Sequence, residues 1–236
     1  MKIALIGYGK MGREIERVAI EQGDTIVSVF DIDRLPTSEG LAEAEVCIDF
    51  SVPDSVVHNI KTAADAGVDM VVGTTGWYDH LEEVRKWFDS SALVYAQNFS
   101  IGVHLFYRIV RHAAELIGPF EGYDVYVAEE HHRQKLDSPS GTALRIGEVL
   151  LGAVDRKKRI VTDSGSGPVS PDSLHISSLR AGFISGVHRV GFDSEADSIE
   201  LRHVARGRTG FALGALRAAH WVRGRRGVYT MDDVEL

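Results

Sequence analysis

The fold of this chain is decided by its first turn, Lys2-Ile3-Ala4-Leu5-Ile6-Gly7-Tyr8-Gly9-Lys10-Met11-Gly12. The apolar residues before the turn are typical of a buried strand, and the run Met11–Gln22 is compatible with a helix. Gly7 permits a tight turn, Gly9 lets the backbone approach a pyrophosphate, and Gly12 lets the helix pack on the strand. The stretch therefore predicts a dinucleotide-binding βα unit. A glycine turn without a ligand is the alternative.

The first hundred residues alternate between strand-like and helix-like segments. Such alternation is typical of a parallel sheet that is covered by helices on both faces, so we expect a Rossmann-like domain. The predicted strands are Ile3–Ile6, Thr25–Phe30, Val46–Phe50, Met70–Val72 and Leu93–Tyr95, and the predicted helices are Met11–Gln22, Ser55–Ala66 and His80–Phe88.

The pattern changes after about residue 121, where strands follow one another. We expect an α+β domain with a mixed or antiparallel sheet, so the fold class is α/β with two domains. Charged residues, Gly, Ser and Pro are frequent in 155–171, which predicts a mobile loop. The remaining predicted elements are the strand Tyr123–Glu129, the helix Thr142–Leu151, an antiparallel meander of Leu174–Arg180, Gly186–Phe192 and Ser198–Ala205, and a closing helix Phe211–Arg223.

An acidic residue follows the second predicted strand. Asp31 lies about 20 residues after the glycine turn, where it is placed to hydrogen-bond the ribose hydroxyls of NAD and to repel a 2′-phosphate. Arg34 is close enough in sequence to accommodate that phosphate instead. We therefore expect NADH as the cofactor, with NADPH use left open. Lys10 either neutralises phosphate charge or is an exposed lysine at the helix start.

Two further segments follow predicted strands at the edge where open α/β sheets bind ligands. Gly73-Thr74-Thr75-Gly76 follows the fourth strand, and Ala96-Gln97-Asn98-Phe99-Ser100 follows the fifth. Their small and hydroxyl side chains suit a nicotinamide ribose, and Phe99 is a candidate to pack on the nicotinamide ring. Ordinary loop residues without a ligand are the alternative for either segment.

The richest chemistry lies in Glu130–Ala143, EHHRQKLDSPSGTA. A histidine side chain in general titrates near neutrality, so His131 or His132 is a candidate to move protons, and Lys135 offers a cationic donor. Ser140-Gly141-Thr142 at a predicted helix start presents free backbone N–H groups, which suit a carboxylate. The cluster predicts a small anionic substrate and a protonation step, whereas a single histidine is more often structural.

Bulk properties exclude several classes of protein. A net charge of −8 and a pI near 5.7 argue against a nucleic-acid binder, although Arg156-Lys157-Lys158-Arg159 is either a local phosphate patch or a solvated loop. The single cysteine, Cys47, cannot form an internal disulfide. The opening apolar run is too short for a signal peptide, and no run reaches the roughly 20 residues that span a bilayer. We expect a cytoplasmic protein without membrane or metal.

The motifs GYGKMG, GTTGW, QNFSIGV and EEHHRQKLDSPSGTAL together resemble the 4-hydroxy-tetrahydrodipicolinate reductase (dihydrodipicolinate reductase) family of the diaminopimelate–lysine route. The resemblance continues through Arg180–His188 and His203–Arg208 and covers nearly the whole chain. It implies that His131 and Lys135 carry the proton chemistry. We expect Lys135 to be the principal proton donor and His131 to be a second donor or an orienting partner, with the two roles exchangeable. It also implies dicarboxylate binding by His132, Lys135, Ser140, Gly141 and Thr142, and nicotinamide cofactor binding by Gly7, Tyr8, Gly9, Lys10, Met11, Gly12, Asp31, Gly73, Thr74, Thr75, Ala96, Gln97, Asn98 and Phe99.

The resemblance further implies a domain arrangement. Residues 1–101 and 211–236 would form the cofactor domain, and residues 102–210 the substrate domain, whose sheet builds a homotetramer. Ile32 stands where NADPH-preferring members often carry arginine, and Val52 stands where some relatives carry arginine; both changes support NADH. Aspartate or diaminopimelate dehydrogenases and a non-catalytic NAD sensor are the rival functions, but neither explains the cluster at 131–142.

Overall fold

The computed structural model describes residues 1–163 and 165–235 of the 236-residue chain. Its Cα positions divide the chain into two compact units, which we call unit 1 (Met1–Ile101 with Arg208–Leu236) and unit 2 (Gly102–Gly207). Throughout the described ranges, every helix is too short or too polar to span a membrane.

The elements alternate between strand and helix in the first half of the chain and are mostly strands in the second. In chain order they are β1 (Lys2–Ile6), α1 (Lys10–Glu21), β2 (Thr25–Phe30), α2 (Ser38–Leu41), β3 (Val46–Asp49), α3 (Pro53–Asp65), β4 (Asp69–Val72), α4 (Leu81–Val84, between 3₁₀ turns at Tyr78–His80 and Arg85–Trp87), β5 (Ala92–Tyr95), α5 (Ile101–Ile117), β6 (Asp124–His131), α6 (Gly141–Leu151), β7 (Arg159–Val161), β8 (Ser173–Arg180), β9 (Val187–Asp193), β10 (Ser198–Val204), α7 (Thr209–Val222) and β11 (Gly227–Thr230).

Unit 1 is built on a six-stranded sheet with the order β11-β5-β4-β3-β1-β2, and its strand pairs are parallel. Successive side chains of β1 point to opposite faces. Ile3 and Leu5 pack in a core with α1 and α7, and Ala4 and Ile6 pack in a second core with α3. The predicted Rossmann-like sheet is therefore confirmed, and the turn after β1 opens at the carboxyl edge, where such sheets bind ligands.

Unit 2 contains a five-stranded mixed sheet with the order β10-β9-β6-β8-β7. Helices α5 and α6 cover one face with apolar residues such as Phe106 and Ile146. The predicted antiparallel meander is wrong in one respect: β9 and β10 form an antiparallel hairpin, but β8 pairs with β6 in parallel. Helix α6 lies in the connection from β6 to β8, and parallel strands need a crossover connection of this kind.

Two other expectations need correction, and two elements were not predicted. The helix predicted at His80–Phe88 is the four-residue α4 between two 3₁₀ turns, because one short turn suffices to bury Val84 and Phe88. The segment 155–171 contains the strand β7, and its residue Ser164 lies outside the described residues. The sequence pattern does not predict α5 or β11, whose apolar residues occur outside the segments that we assigned.

Candidate active site

The glycine turn after β1 has the geometry that a pyrophosphate needs. Gly7 has a φ of 86°, and a Cβ there would lie 2.4 Å from the carbonyl oxygen of Phe50. A Cβ on Gly12 would lie 2.3 Å from the carbonyl oxygen of Gly7, whereas a Cβ on Gly9 would meet no atom within 4 Å. Gly9 is the N-cap of α1 and has no side-chain cap. The open space at this helix start fits the pyrophosphate of a dinucleotide.

The other residues of the turn are held by α1 itself. The Tyr8 hydroxyl donates a hydrogen bond to Glu16, and the guanidinium of Arg13 lies 5.3 Å from the centre of the Tyr8 ring. Lys10 is exposed in the first turn of the helix. These contacts fix Tyr8 beside the opening and leave the Lys10 side chain in solvent.

A cavity of about 250 Å³ adjoins the turn. It is lined by Met11, Phe50, Ser51, Pro53, Gly73, Thr74 and Thr75, so it joins the predicted segment after β4 to the glycine turn. A Cβ on Gly73 would lie 2.2 Å from the Phe50 ring, so only glycine fits. The indole N–H of Trp77 donates to the carbonyl oxygen of Thr74 at 2.8 Å and fixes that loop.

Below this cavity lies a buried carboxylate that the sequence did not single out. Asp49 ends β3 and accepts hydrogen bonds from the Ser51 backbone N–H (2.9 Å), the Ser51 hydroxyl (2.8 Å), the Thr74 hydroxyl (2.7 Å) and the Asn59 amide (2.8 Å). Burial raises the pKa of Asp49, and these neutral donors offset only part of that shift. Asp49 therefore ties together the two loops that line the cavity.

The carboxyl end of β2 presents charges of both signs. The backbones of Asp31 and Arg34 hydrogen-bond each other in both directions (3.1 and 2.9 Å), which makes a tight turn. The guanidinium of Arg34 lies 5.1 Å from the centre of the Phe30 ring. Ile32, between them, is 86% exposed. Asp31 and Arg34 are thus both available to an adenosine ribose.

The segment after β5 departs from expectation at one position. The Phe99 side chain is 1% exposed and contacts Phe50 with ring centres 5.9 Å apart. It is a core residue, so the expectation that its ring packs on a nicotinamide is wrong. Ala96, Gln97 and Asn98 remain at the sheet edge, where the Asn98 side-chain oxygen accepts a hydrogen bond from the Ser100 N–H at 2.8 Å.

In unit 2 one of the predicted proton-transfer residues, His131, lies against a buried carboxylate. Glu129 and His131 lie two residues apart on β6 and therefore on the same face of the sheet. The imidazole Nδ1 of His131 hydrogen-bonds Glu129 Oε2, and the guanidinium of Arg180 donates to Glu129 Oε1 at 2.6 Å. Burial acts to raise the pKa of Glu129, but the bonds from His131 and Arg180 outweigh it, and the pKa lies well below its usual range.

Arg180 also reaches the loop that carries Lys135. The same guanidinium nitrogen donates to the backbone carbonyl of Asp137 at 2.8 Å. The ammonium of Lys135 lies 2.8 Å from Asp137 Oδ1. Burial acts to raise the pKa of Asp137, but the bond from Lys135 outweighs it and lowers the pKa. Lys135 thus already holds a carboxylate that belongs to its own loop.

The start of α6 is less open than its sequence suggests. Ser140 is the N-cap; its hydroxyl accepts from the Ala143 N–H at 3.2 Å, and its own N–H donates to Glu129 at 3.2 Å. The backbone of Gly141 hydrogen-bonds Asp137. The backbones of Ser140 and Gly141 are therefore already engaged by the carboxylates of Glu129 and Asp137.

Two further histidines flank the cluster. Nδ1 of His132 is buried and has no partner within residues 1–163 and 165–235. His188 lies behind His131 with ring centres 5.2 Å apart, and burial together with His131 lowers the pKa of His188 to about 3. Glu129, His131 and His188 offer possible metal-ligand atoms within 4.8 Å of one another, but Arg180 and Ser140 already engage the carboxylate.

Comparison with known proteins identifies the chain. Family models described as dihydrodipicolinate reductase, N-terminus and C-terminus match residues 1–99 and 102–234. The chain belongs to the dihydrodipicolinate reductase family. Within it, the chain is 38% identical over 236 residues to 4-hydroxy-tetrahydrodipicolinate reductase of Christiangramia forsetii, covering 99% of this chain and 97% of the relative. It is 39% identical to the same-named enzyme of Neisseria gonorrhoeae, again covering 99% and 97%.

Solved structures support the same fold. A dipicolinate-bound dihydrodipicolinate reductase from Paenisporosarcina sp. TG-14 superposes with a TM-score of 0.78 at 23% identity, covering 99% of each chain. An amine dehydrogenase from Mycobacterium smegmatis gives 0.64 at 10% identity, covering 100% of this chain and 96% of its own. Membership in the dihydrodipicolinate reductase family makes the chain an oxidoreductase that uses a nicotinamide cofactor.

The sequence analysis missed four polar residues of the cluster around His131 in unit 2. Glu129 was detectable, because alternation along β6 puts it on the same face as His131. Asp137 lay inside the quoted motif without an assigned role. Arg180 and His188 come from β8 and β9, and their proximity depends on strand pairing that no local pattern shows.

Proposed function

We propose that this chain catalyses the NAD(P)H-dependent reduction of 4-hydroxy-tetrahydrodipicolinate to tetrahydrodipicolinate and water, in the diaminopimelate route to lysine. The observation that carries the proposal is the joining of His131, Lys135 and Ser140 into one hydrogen-bonded cluster through Glu129, Arg180 and Asp137. The cluster lies in a family of reductases with this name.

The substrate is a cyclic dicarboxylate imine with a ring hydroxyl. We assign its carboxylates to His132, Lys135, Ser140, Gly141 and Thr142. Asp137 supports this assignment, because its carboxylate already engages the Lys135 ammonium and the Gly141 backbone. A substrate carboxylate of the same charge and shape takes the place of Asp137, which then turns toward solvent.

Proton transfer falls to Lys135 and His131. When bound, the reduced nicotinamide supplies a hydride to a ring carbon after the ring hydroxyl has left as water. Lys135 is the principal donor of the proton that completes the reduction, and the Nε2 nitrogen of His131 orients the ring or acts as a second donor. Positioned donors of this kind accelerate reactions by about 10²–10⁴-fold.

We further propose that NADH is preferred and that NADPH is accepted. Asp31 at the end of β2 accepts hydrogen bonds from ribose hydroxyls and repels a 2′-phosphate. Ile32, 86% exposed, offers that phosphate no charge, whereas Arg34 lies close enough to offset part of the repulsion. The remaining cofactor contacts come from the glycine turn and the segments after β4 and β5.

The proposed assembly is a homotetramer built on the sheet of unit 2. Strand β10 is an edge strand, and its Ile199 and Val204 side chains are 43% and 48% exposed. An open apolar edge is a surface that proteins usually cover. We place the reaction in the cytoplasm, since the only cysteine, Cys47, is buried and free and the fold needs no disulfide.

The decisive experiment follows cofactor oxidation with substrate generated in situ by the preceding synthase from pyruvate and aspartate semialdehyde. NADH and NADPH are compared for the wild type, Lys135→Ala, His131→Gln and the exposed control Lys86→Ala. We expect substrate-dependent oxidation that falls about 10²–10⁴-fold in the two site variants and persists in the control. No oxidation by folded wild-type protein with either cofactor would overturn the proposal.

A further inference from the structure

One carboxylate connects His131, Ser140 and the loop of Lys135. Glu129 is 1% exposed and accepts hydrogen bonds from His131 Nδ1 on one oxygen and from Arg180 (2.6 Å) and the Ser140 N–H (3.2 Å) on the other, and the Ser178 side chain also hydrogen-bonds it. Through Arg180 it is also linked to the backbone of Asp137, in the loop of Lys135. A carboxylate with only a structural role would not need a bond to His131, the imidazole that the proposed reaction uses.

We propose that Glu129 is a positioning residue for the reduction, which holds His131 with its proton on Nδ1 and so presents Nε2 to the substrate. The inference rests on the proposed function, because it assigns Glu129 through the role of His131. Glu129 touches no substrate atom in this proposal; it acts only by fixing the orientation and tautomer of the imidazole.

The tautomer follows from the chemistry of the partner. An ionised carboxylate offers only acceptor oxygens, so the nitrogen bonded to it must carry the hydrogen. Arg180 keeps Glu129 ionised by placing a cation on its other oxygen. Nδ1 of His131 is therefore permanently a donor. Nε2 either carries a lone pair or, in the imidazolium, donates a second proton.

The surroundings of Nε2 fit this assignment. A Cβ on Gly186 would lie 3.1 Å from His131 Nε2, so a glycine at this position leaves room beside the nitrogen. His188 packs against the same ring from β9 and is neutral near pH 7, since its pKa is about 3. The charged pair beside the imidazole is formed by Glu129 and Arg180 on the sheet.

The chain offers a matched control in the next residue. Glu130 is on the same strand, but its side chain points to the other face of the sheet, where it lies 3.6 Å from Arg189. The ion pair of its carboxylate is with Arg189, which is assigned neither to substrate nor to cofactor. Glu130→Gln therefore makes the same chemical change one position away from the site.

The test compares Glu129→Gln and Glu130→Gln with wild type in steady-state kinetics over pH 5–9. A glutamine at 129 keeps the shape but can donate to Nδ1, which releases the tautomer. We expect kcat to fall about 10²-fold in Glu129→Gln while KM for the cofactor is unchanged. Glu130→Gln should match wild type in each respect.

The two proposals fail in different ways. An inactive wild type overturns the proposed function, whereas an active wild type with indistinguishable Glu129→Gln and Glu130→Gln variants overturns only the role of Glu129. Imidazole ¹⁵N spectra of the wild type decide the matter if Glu129→Gln does not fold, with His131→Gln used for assignment. A neutral His131 with its proton on Nδ1 supports the inference, and a proton on Nε2 overturns it.

Discussion

Each unit of the molecule buries one carboxylate beneath its proposed ligand site, and the two carboxylates are stabilised in opposite ways. Asp49 in unit 1 is surrounded by neutral hydroxyl, amide and N–H donors, and burial raises its pKa. Glu129 in unit 2 is equally buried, but bonds from His131 and Arg180 overcome burial and lower its pKa. Burial alone therefore does not set the charge state; the charge of the partners does.

The same contrast runs through the two proposed sites. Unit 1 shapes a cofactor site by omitting side chains: glycines stand at positions 7, 9, 12 and 73, and neutral groups surround the cavity. Unit 2 shapes a substrate site with charged side chains that already satisfy one another. Removing a charge should accordingly be severe in unit 2 and mild in unit 1.

The largest expected effect is on stability, from Glu129→Ala. The change leaves the Arg180 cation, whose side chain is only 18% exposed, without its anionic partner. Losing one member of such a pair costs about 3–5 kcal/mol. Glu130→Ala, on the open face of the same strand, should cost less than about 1 kcal/mol. Urea unfolding followed by circular dichroism measures both, and equal costs would contradict the distinction.

The next prediction concerns the pH dependence of the free energy of unfolding, which should have opposite signs for the two carboxylates. The lowered pKa of Glu129 adds stability above the unfolded value of about 4.3, and that stability is lost as pH falls. The wild type should therefore exceed Glu129→Gln in free energy of unfolding by less and less as the pH falls toward 3. The raised pKa of Asp49 has the opposite effect, so the free energy of unfolding of the wild type should rise relative to that of Asp49→Asn as the pH falls. Each slope is at most about 1.4 kcal/mol per pH unit.

Unfolding free energies of the three proteins between pH 3 and 7 check this prediction. Asp49→Asn is a fair probe, because Asn59 Oδ1 lacks a hydrogen-bond partner in the described part of the chain and is available to the new amide after a flip of the Asn59 side chain. Slopes of the same sign for both variants would show that the two carboxylates are not held differently.

Unit 1 could be predicted from sequence more completely than unit 2. The strand Thr25–Phe30 and the glycine turn were predicted at their observed positions, because both signals are local. The pairing of β8 with β6 was missed, since alternation shows which residues share a face but not which strand lies alongside. The burial of Phe99 was missed for a similar reason: its neighbours come from distant segments.

The substrate site divides in the same way. His131, Lys135 and Ser140 stand within ten residues and could be found from composition alone. Arg180 could not, because it meets Glu129 only through the register that sets His131 opposite Arg180. The engagement of Gly141 by Asp137 was likewise invisible, and a helix start that looked free in sequence is filled by the chain itself.

A smaller effect tests whether unit 1 works by leaving space. Gly12→Ala places a methyl 2.3 Å from the Gly7 carbonyl and should cost about 1–3 kcal/mol of stability. Gly9→Ala meets no atom within 4 Å, so its cost should stay below about 1 kcal/mol. It should still weaken NADH binding on the order of tenfold, because the methyl fills the proposed pyrophosphate space. Thermal unfolding measures the stability cost and NADH fluorescence titration measures the affinity. An unchanged affinity in Gly9→Ala would refute the proposed pyrophosphate site at the start of α1.

The smallest effect comes from adding a charge beside the proposed cofactor site of unit 1. Ile32→Arg places a guanidinium beside Asp31 on an 86% exposed side chain, where it meets a 2′-phosphate but not a ribose hydroxyl alone. Exposed ion pairs contribute up to about 1 kcal/mol, so the NADPH-to-NADH ratio of kcat/KM should rise about fivefold. The gain should fade with added salt. Ile20→Arg, 60% exposed on α1, supplies the same charge elsewhere. An equal rise in both variants would mean that net charge, rather than position at the end of β2, selects the cofactor.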